Sequence, residues 1–580
     1  MINRTFISCL FAFSLVALPL YPQMSHPASG FFYGSLIPLL FLLICLHPGI
    51  SWRRLAGLPL FYPLCAVLVA SLIYVFHSIY PYQSQEKCVR LLLGAMVYIL
   101  AAVLAFEGRS RRILILGLIA GAVLLSMEAV SHQSAGYADL LESLRSESSY
   151  DPVMQRELIQ TLEAGRALGR FGNPNHLAGY LILSLWASVL LWSDCRERWQ
   201  RLALGGAMVI QALCIYRAYS RSGLLVLLIS MGILLIWQLR NISRVWRRRL
   251  VWIGSGAAVV SILALILWGR AAFGGRLFVT STILARVHFF RHALQMIADR
   301  FPDGTGLESF RYLASRYIRP GELESLYPHN LFLGAASESG LLGLLAMLWF
   351  SVAGLRWKGR GAGIRSVVGF GSFVSFLLLC SIDFHNEIAE ILFLFFVLQG
   401  LCTGQRFEPI PASRLILFVP GIVISVFLWW ILVFCPYMGE SNHQRAIDAL
   451  TLKQPAVRYF ETALRWTPQD AAICNQYGQI LFDSGLPDLQ ERGLYLLRKA
   501  VTLNPYQAYF HGDLAEALSR IGRVEEALAE NLAAMDLFPK KVLYLRQRAR
   551  YLYLIGDREE ADRCLKRAEE IERIEKERRP

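Results

Sequence analysis

A chain of 580 residues that is 55% hydrophobic, with a mean hydropathy of +0.43, is too apolar for a soluble protein of this size. Its net charge of +15 would suit nucleic acid, but from Glu440 onward 22 Lys+Arg are matched by 22 Asp+Glu, so the whole excess lies in the apolar part. There it sits in short loops, SWRR (51–54), EGRSRR (107–112), RNISRVWRRR (240–249) and RWKGRGAGIR (356–365). That is the positive-inside pattern of a multi-pass membrane protein and excludes a nucleic-acid footprint.

In chain order, the first apolar run, FISCLFAFSLVALPLYP, lacks a clear cleavage site and is read as a retained helix. Runs long enough to span recur near 5–22, 31–47, 57–78, 90–106, 112–130, 176–193, 202–219, 222–239, 250–269, 335–355, 366–382, 386–402 and 413–435. The expected fold is all-α: about 12–13 transmembrane helices over residues 1–439, then a soluble α-solenoid over 440–580. Alternating the spans from a cytoplasmic N-terminus puts the Arg-rich short loops inside and two long loops, 131–175 and 270–334, outside. The tail follows them outside. The eleven cysteines show no CxxC and no metal-like spacing, and are read as small buried hydrophobes.

The second outer loop carries eight arginines and no lysine between Arg270 and Pro328, against five acidic residues. They include Arg276, Arg286, Arg291 and Arg311. A solvated surface would account for them, but the planar guanidinium fork suits phosphate and carboxylate oxygens, so an anionic ligand at the outer face is expected. In the tail, Ala500, Pro505, Ala515, Gly522 and Ala527 recur 34 residues later as Ala534, Pro539, Ala549, Gly556 and Ala561. An earlier copy, Ala463, Pro468 and Gly485, precedes them. This period, with small residues at helix crossings and proline closing each pair, is the tetratricopeptide signature.

Four outer-side stretches could carry chemistry. GRFGNPNHLAGY (169–180) forms a turn and helix start that leaves backbone N–H groups for an anion, or a plain N-cap. YSRSG (219–223) is a tight hairpin that fixes Arg221 at the membrane face. ARVHFFRHALQMIADRFPDGTGLESF (285–310) is an amphipathic helix ended by a turn. YPHNLFLGAASESGLLGLL (327–345) brings His329, Asn330 and Glu338 to the mouth of a span, where ionisable groups are costly and hint at function. His288, His292 and His385 are read as structural.

FGNPNHLAGY, SRSGLL, R-x4-R-x-A-L-x-M-I with P-x-G-x-G-x-x-x-F, and HNLFLGAASESGLLGLL, in this order, resemble the motifs of the O-antigen ligase and Wzy polymerase superfamily. SIDFHNEIAEILFLFFVLQGL (381–401) is similar to that family's following span. The resemblance covers about residues 165–402 and rests on order and spacing rather than any single motif. Phe290 stands where the family usually has tryptophan, and Arg170 where a small residue is common. The resemblance implies a glycosyltransferase of the bacterial inner membrane that needs neither metal, cofactor nor nucleotide sugar. Its donor would be an undecaprenyl-diphosphate-linked glycan and its acceptor a lipid or glycan, at the outer membrane face. Arg221, Arg286 and His329 match the family's functional set.

A lipid diphosphate leaves only when its developing charge is stabilised, a task for Arg221 and Arg286. His329, as a neutral ring beside arginine, is expected to accept the acceptor hydroxyl's proton, or else to hydrogen-bond the phosphate. Arg291, Asn330, Glu338, Asn173, Asn175 and Arg170 are expected to bind substrate, although a cap or packing contact suits Glu338 equally well. Repeat-unit polymerisation or glycan transfer to protein would use the same chemistry. A transporter, or a scaffold whose tail recruits a protein partner, is the reading from another class. No internal duplication of spans supports a transporter.

Overall fold

The computed structural model describes residues 4–20, 27–45, 56–135, 161–239, 280–356, 363–403 and 426–578, with isolated positions between 137 and 159. Every regular element among them is helical. The longer helices of the first part are α1 (Arg4–Ala17), α2 (Pro27–Cys45), α3 (Phe61–Phe76), α4 (Pro81–Leu104), α5 (Gly108–Ala135) and α6 (Pro174–Trp192). After them come α7 (Arg198–Arg217), α8 (Arg221–Leu239), α9 (Thr280–Arg300), α10 (Leu331–Arg356), α11 (Ile364–Ile382) and α12 (Ala389–Thr403). Six of these, α4, α5, α6, α8, α10 and α11, are long and apolar enough to cross a membrane, and α1, α2, α3 and α12 are shorter apolar helices. The expected span near 202–219 is the helix α7, which belongs to neither set. The expected span at 250–269 and most of that at 413–435 lie outside the described residues, as do Arg270 and Arg276.

The chain divides into two compact units. The first takes Met1–Leu64, Leu92–Thr280 and Trp349–Ile422. Its centre is α6, buried along nearly its whole length. Trp186 Nε1 donates to Ser375 Oγ at 3.0 Å, and Ser375 in turn lies 2.8 Å from Ser230 Oγ, so α6, α11 and α8 share one buried polar contact. Lipid tails are as apolar as leucine, so such packing and hydrogen bonding, rather than water exclusion, hold spans together. Close approach of α1 to α5 follows the same rule: a Cβ on Gly117 would stand 2.8 Å from the Ala12 carbonyl oxygen.

The second unit is discontinuous, joining Cys65–Leu91 and Ser281–Leu348 to Val423–Pro580. Its tail helices are α13 (Cys435–Thr451), α14 (Val457–Trp466), α15 (Ala471–Asp483), α16 (Pro487–Leu503), α17 (Ala508–Arg520), α18 (Val524–Leu537), α19 (Val542–Leu554) and α20 (Arg558–Arg578). They form four consecutive pairs. The repeated alanines, Ala500, Ala515, Ala527, Ala534, Ala549 and Ala561, are at most 1% exposed, which lets the paired backbones close on each other. Gly485, Gly522 and Gly556 follow α15, α17 and α19 with φ of +74°, +80° and +86°, the left-handed conformation that ends a helix.

This array is bonded to the other segments of the same unit. Tyr80, 6% exposed, packs in the core of α13 to α16, and its hydroxyl accepts the Ala471 N–H at 3.1 Å. It meets Tyr312 edge-on at 5.7 Å. Ser315 Oγ donates to the Leu537 carbonyl at 3.0 Å, and Lys540 Nζ to the Glu322 carbonyl at 2.8 Å.

Candidate functional site

In the first unit, the FGNPN stretch is a turn and cap. Gly169 and Gly172 have φ of +55° and +61°, and Asn173 Oδ1 accepts the Asn175 N–H at 2.8 Å, capping α6 behind Pro174. Arg170 turns back to Glu128 on α5 at 2.5 Å. Asn175 joins three elements: its Nδ2 donates to Asp383 at 3.0 Å, and its Oδ1 accepts from Ser220 Oγ at 2.9 Å. Ser220 Oγ also accepts the Gly223 N–H at 3.1 Å, capping α8, of which Arg221 is the first residue. The preceding backbone is pinned by a residue the motifs did not single out. Arg166 Nε donates to the Ala218 carbonyl at 3.0 Å, just before Tyr219 with its φ of +47°. His385 is fully buried, with Nε2 3.1 Å from the Asn175 carbonyl.

Arg286 and His329 belong to the second unit. Phe289, one turn beyond Arg286 on α9, stacks on the His329 ring at 4.9 Å with 20° between planes, so the helix that carries Arg286 also orients the histidine. His329 Nε2 lies 3.0 Å from Ser325 Oγ, and its backbone holds φ +52°, uncommon for a residue with a side chain. Immediately after it, Asn330 Oδ1 accepts the Phe332 and Leu333 N–H groups at 3.0 Å each, capping α10. Arg311 donates to the Tyr327 hydroxyl at 2.7 Å and to Glu308 at 2.8 Å, which fixes the approach to His329. Neither Ser325 nor Phe289 carries a motif signal; only the spacings Ser325-x3-His329 and Arg286-x2-Phe289 hint at them.

Glu338 lies about two turns into α10. α10 breaks just after it: Ser339 has φ −110°, ψ 16° and Gly340 φ +54°, ψ −151°. Glu338's carboxylate takes Lys87 Nζ at 2.9 Å and the Phe310 N–H at 3.3 Å. Its carbonyl takes the Thr305 and Gly306 N–H groups at 3.1 and 2.8 Å, and the Leu341 N–H turns to the Pro302 carbonyl at 2.9 Å. The FPDGTG turn is thus a strap that satisfies the groups freed by the break, as irregular backbone in a span requires.

Arg291 is held bidentately by Glu322, with Nη atoms at 2.8 and 2.5 Å from its two oxygens. His292, 1% exposed, lies 3.1 Å from the same carboxylate, and the Arg319 N–H donates to it at 2.9 Å. Burial pushes the Glu322 carboxyl up, but these bonds outweigh it and hold it down at about 2. Burial lowers His292, with Glu322 opposing. A carboxylate depressed in the fold stabilises it above its unfolded pKa of 4.5, and that contribution is lost as pH falls through about 2. A lowered histidine acts in the same direction, since below 6.5 the unfolded chain binds its proton more readily. Glu322→Gln is therefore expected to lower the melting temperature of the detergent-purified protein by several degrees at pH 7, for a loss of about 2 kcal/mol. The gap to wild type should narrow as pH falls below 4.5. An equal gap at pH 7 and pH 3.5 would refute this account.

Among the described residues, no group of three His, Cys, Asp or Glu side chains gathers as a metal site requires. Residues 206–348 match the family model Wzy_C, described as O-antigen ligase. The match spans Arg221, Arg286 and His329, while the FGNPN stretch and the span at 381–401 lie beyond its ends. A search of the curated proteins returns no match. Among solved structures, "MamA RS-1 ArsTM double mutant" is 21% identical, with 28% of this chain and 89% of that chain covered and a TM-score of 0.22. "MamA 41-end from Desulfovibrio magneticus RS-1" is 20% identical over 28% and 90%, with a TM-score of 0.22. "MamA AMB-1" is 22% identical over 25% and 79%, with a TM-score of 0.20. With its repeats seen as helix pairs and its spans as apolar helices, the chain is a multi-pass membrane protein, helical in every regular element among the described residues, that carries a Wzy_C O-antigen ligase domain over residues 206–348 and a tetratricopeptide-like tail.

Proposed function

We propose that this protein is a membrane glycosyltransferase that moves a glycan from an undecaprenyl-diphosphate carrier to a lipid or glycan acceptor at the outer face of the bacterial inner membrane. The observation that carries the reading is the O-antigen ligase match over the segment that contains Arg221, Arg286 and His329. Arg221 and Arg286 stabilise the charge that develops on the departing diphosphate. His329 accepts the proton of the attacking hydroxyl, with inversion at the sugar carbon. Its orientation by Phe289 and Ser325 supports that role, because a general base must be held in one pose.

Arg291, Asn330, Glu338, Asn173, Asn175 and Arg170 then serve by placing backbone and charge around the reacting groups rather than by leaving side chains idle for substrate. The tail lies on the same, outer side as the 300–328 segment, a reading supported by its bonds to Tyr80, Ser315 and Glu322. Ligation and repeat-unit polymerisation share this chemistry and differ only in the acceptor. The test is transfer from a synthetic undecaprenyl-diphosphate glycan by the purified protein in nanodiscs. Arg221→Ala, Arg286→Ala and His329→Ala are each expected to lose at least about a hundredfold in rate. Wild-type rates in all three would overturn the assignment.

A further inference from the structure

The tail is more than a brace: where it meets the outer loop, it leaves an open cleft of about 460 Å³, lined by residues 316–320, by Pro539 and Lys540, and by α20. Four of its lining side chains are cationic, Arg316, Arg319, Lys540 and Arg567, against one carboxylate, Glu570. Lys540 is committed to the Glu322 carbonyl at 2.8 Å and to Glu324 at 3.5 Å. The guanidinium groups of Arg316, Arg319 and Arg567 make no ion pair or side-chain hydrogen bond among the described residues, and all three are exposed. They come from two segments far apart in sequence yet face one cleft. Its floor is apolar, formed by Ile318, Ile571 and Ile574 with Tyr317 beside them. Three guanidinium forks around an apolar floor match a ligand with carboxylates or phosphates on its rim and C–H faces on its body.

We infer that this cleft binds an acidic saccharide chain, as a docking site for the glycan apart from the residues that transfer it. The choice of a saccharide rests on the transferase reading above; the anion preference rests on the cleft alone. A site open to water fits a long chain that must slide or be released, whereas an enclosed pocket would trap its end. Lipid headgroups offer the same phosphate chemistry, and the test separates the two sources.

The full-length protein in phosphatidylcholine nanodiscs is titrated with a short fluorescein-labelled oligogalacturonate, with a dextran oligomer of matched length as the neutral control. Wild type is expected to bind the acidic oligomer with an affinity that weakens as salt rises, and not to bind dextran. Arg316→Gln, Arg319→Gln and Arg567→Gln combined should weaken binding at least tenfold, and Glu570→Gln should tighten it about twofold, since one opposing charge is removed. Replacing part of the phosphatidylcholine by phosphatidylglycerol should leave the affinity unchanged. The inference is overturned if wild type fails to bind, if dextran binds equally, if the triple variant binds as wild type, or if phosphatidylglycerol competes, which would assign the cleft to headgroups. His329→Ala should bind the oligomer normally, so loss of transfer and loss of docking are read separately.

Discussion

Gly340→Ala is expected to cost about 3 kcal/mol or more and to leave little folded protein in the membrane. Two separate reasons converge on that position. Its φ of +54° with ψ of −151° lies in a region essentially closed to residues with a side chain. A Cβ there would also stand 2.1 Å from the Pro302 carbonyl oxygen and 2.8 Å from the Asp303 carbonyl carbon, both backbone atoms. Neither can swing aside, because Leu341, Thr305 and Gly306 bind the strap to the break through backbone hydrogen bonds. Gly232→Ala is the matched control: it sits within α8 with nothing within 4 Å of an added Cβ, so it should be neutral or slightly stabilising. Fluorescence-detected size exclusion of the two variants reads the difference. Equal peaks would mean that the strap does not hold the helix break.

Glu338→Ala should destabilise the protein by about 3–5 kcal/mol, the range for removing one partner of a buried ion pair. Glu338 is 3% exposed and Lys87 only 13%, so the variant would take a carboxylate 2.9 Å from an ammonium in a poorly hydrated place. The Phe310 N–H would lose its acceptor as well. Replacing both groups by apolar ones of similar size, Lys87→Met with Glu338→Leu, removes both buried charges together and is expected to recover much of the loss. If the carboxylate serves only to fix the broken helix that carries His329, the double variant should also recover transfer. A stable but inactive double variant would instead place Glu338 on the substrate.

Six of the thirteen expected spans, and the paired helices of the tail, were legible in the sequence because their signals are local. Apolar runs report themselves, and the 34-residue recurrence of Ala, Pro and Gly reports the paired helices. Asn173 was legible through the plain N-cap weighed for its stretch, whereas Asn330, expected to bind substrate, has its Oδ1 engaged in a cap as well. What escaped depends on partners distant in sequence. Glu338 meets Lys87 across 251 residues, and Arg291 meets Glu322 across 31, so neither commitment shows in a motif. The FPDGTG stretch reads locally as a turn; its second part, satisfying a broken span, exists only once Gly340 is against Pro302. Likewise the balanced charge of the tail conceals that Arg567 and two loop arginines line one cleft.

The central claim, that His329 takes part in moving a glycan off its lipid carrier, is tested most directly by envelope polysaccharide gels. Cells lacking the protein are complemented with wild type or His329→Ala, with protein level and membrane insertion measured alongside. The account predicts that the variant is made and inserted normally, that surface glycan is lost, and that untransferred lipid-linked glycan accumulates. Long accumulated chains indicate a ligase and single repeat units a polymerase. A wild-type glycan pattern from His329→Ala would contradict the account.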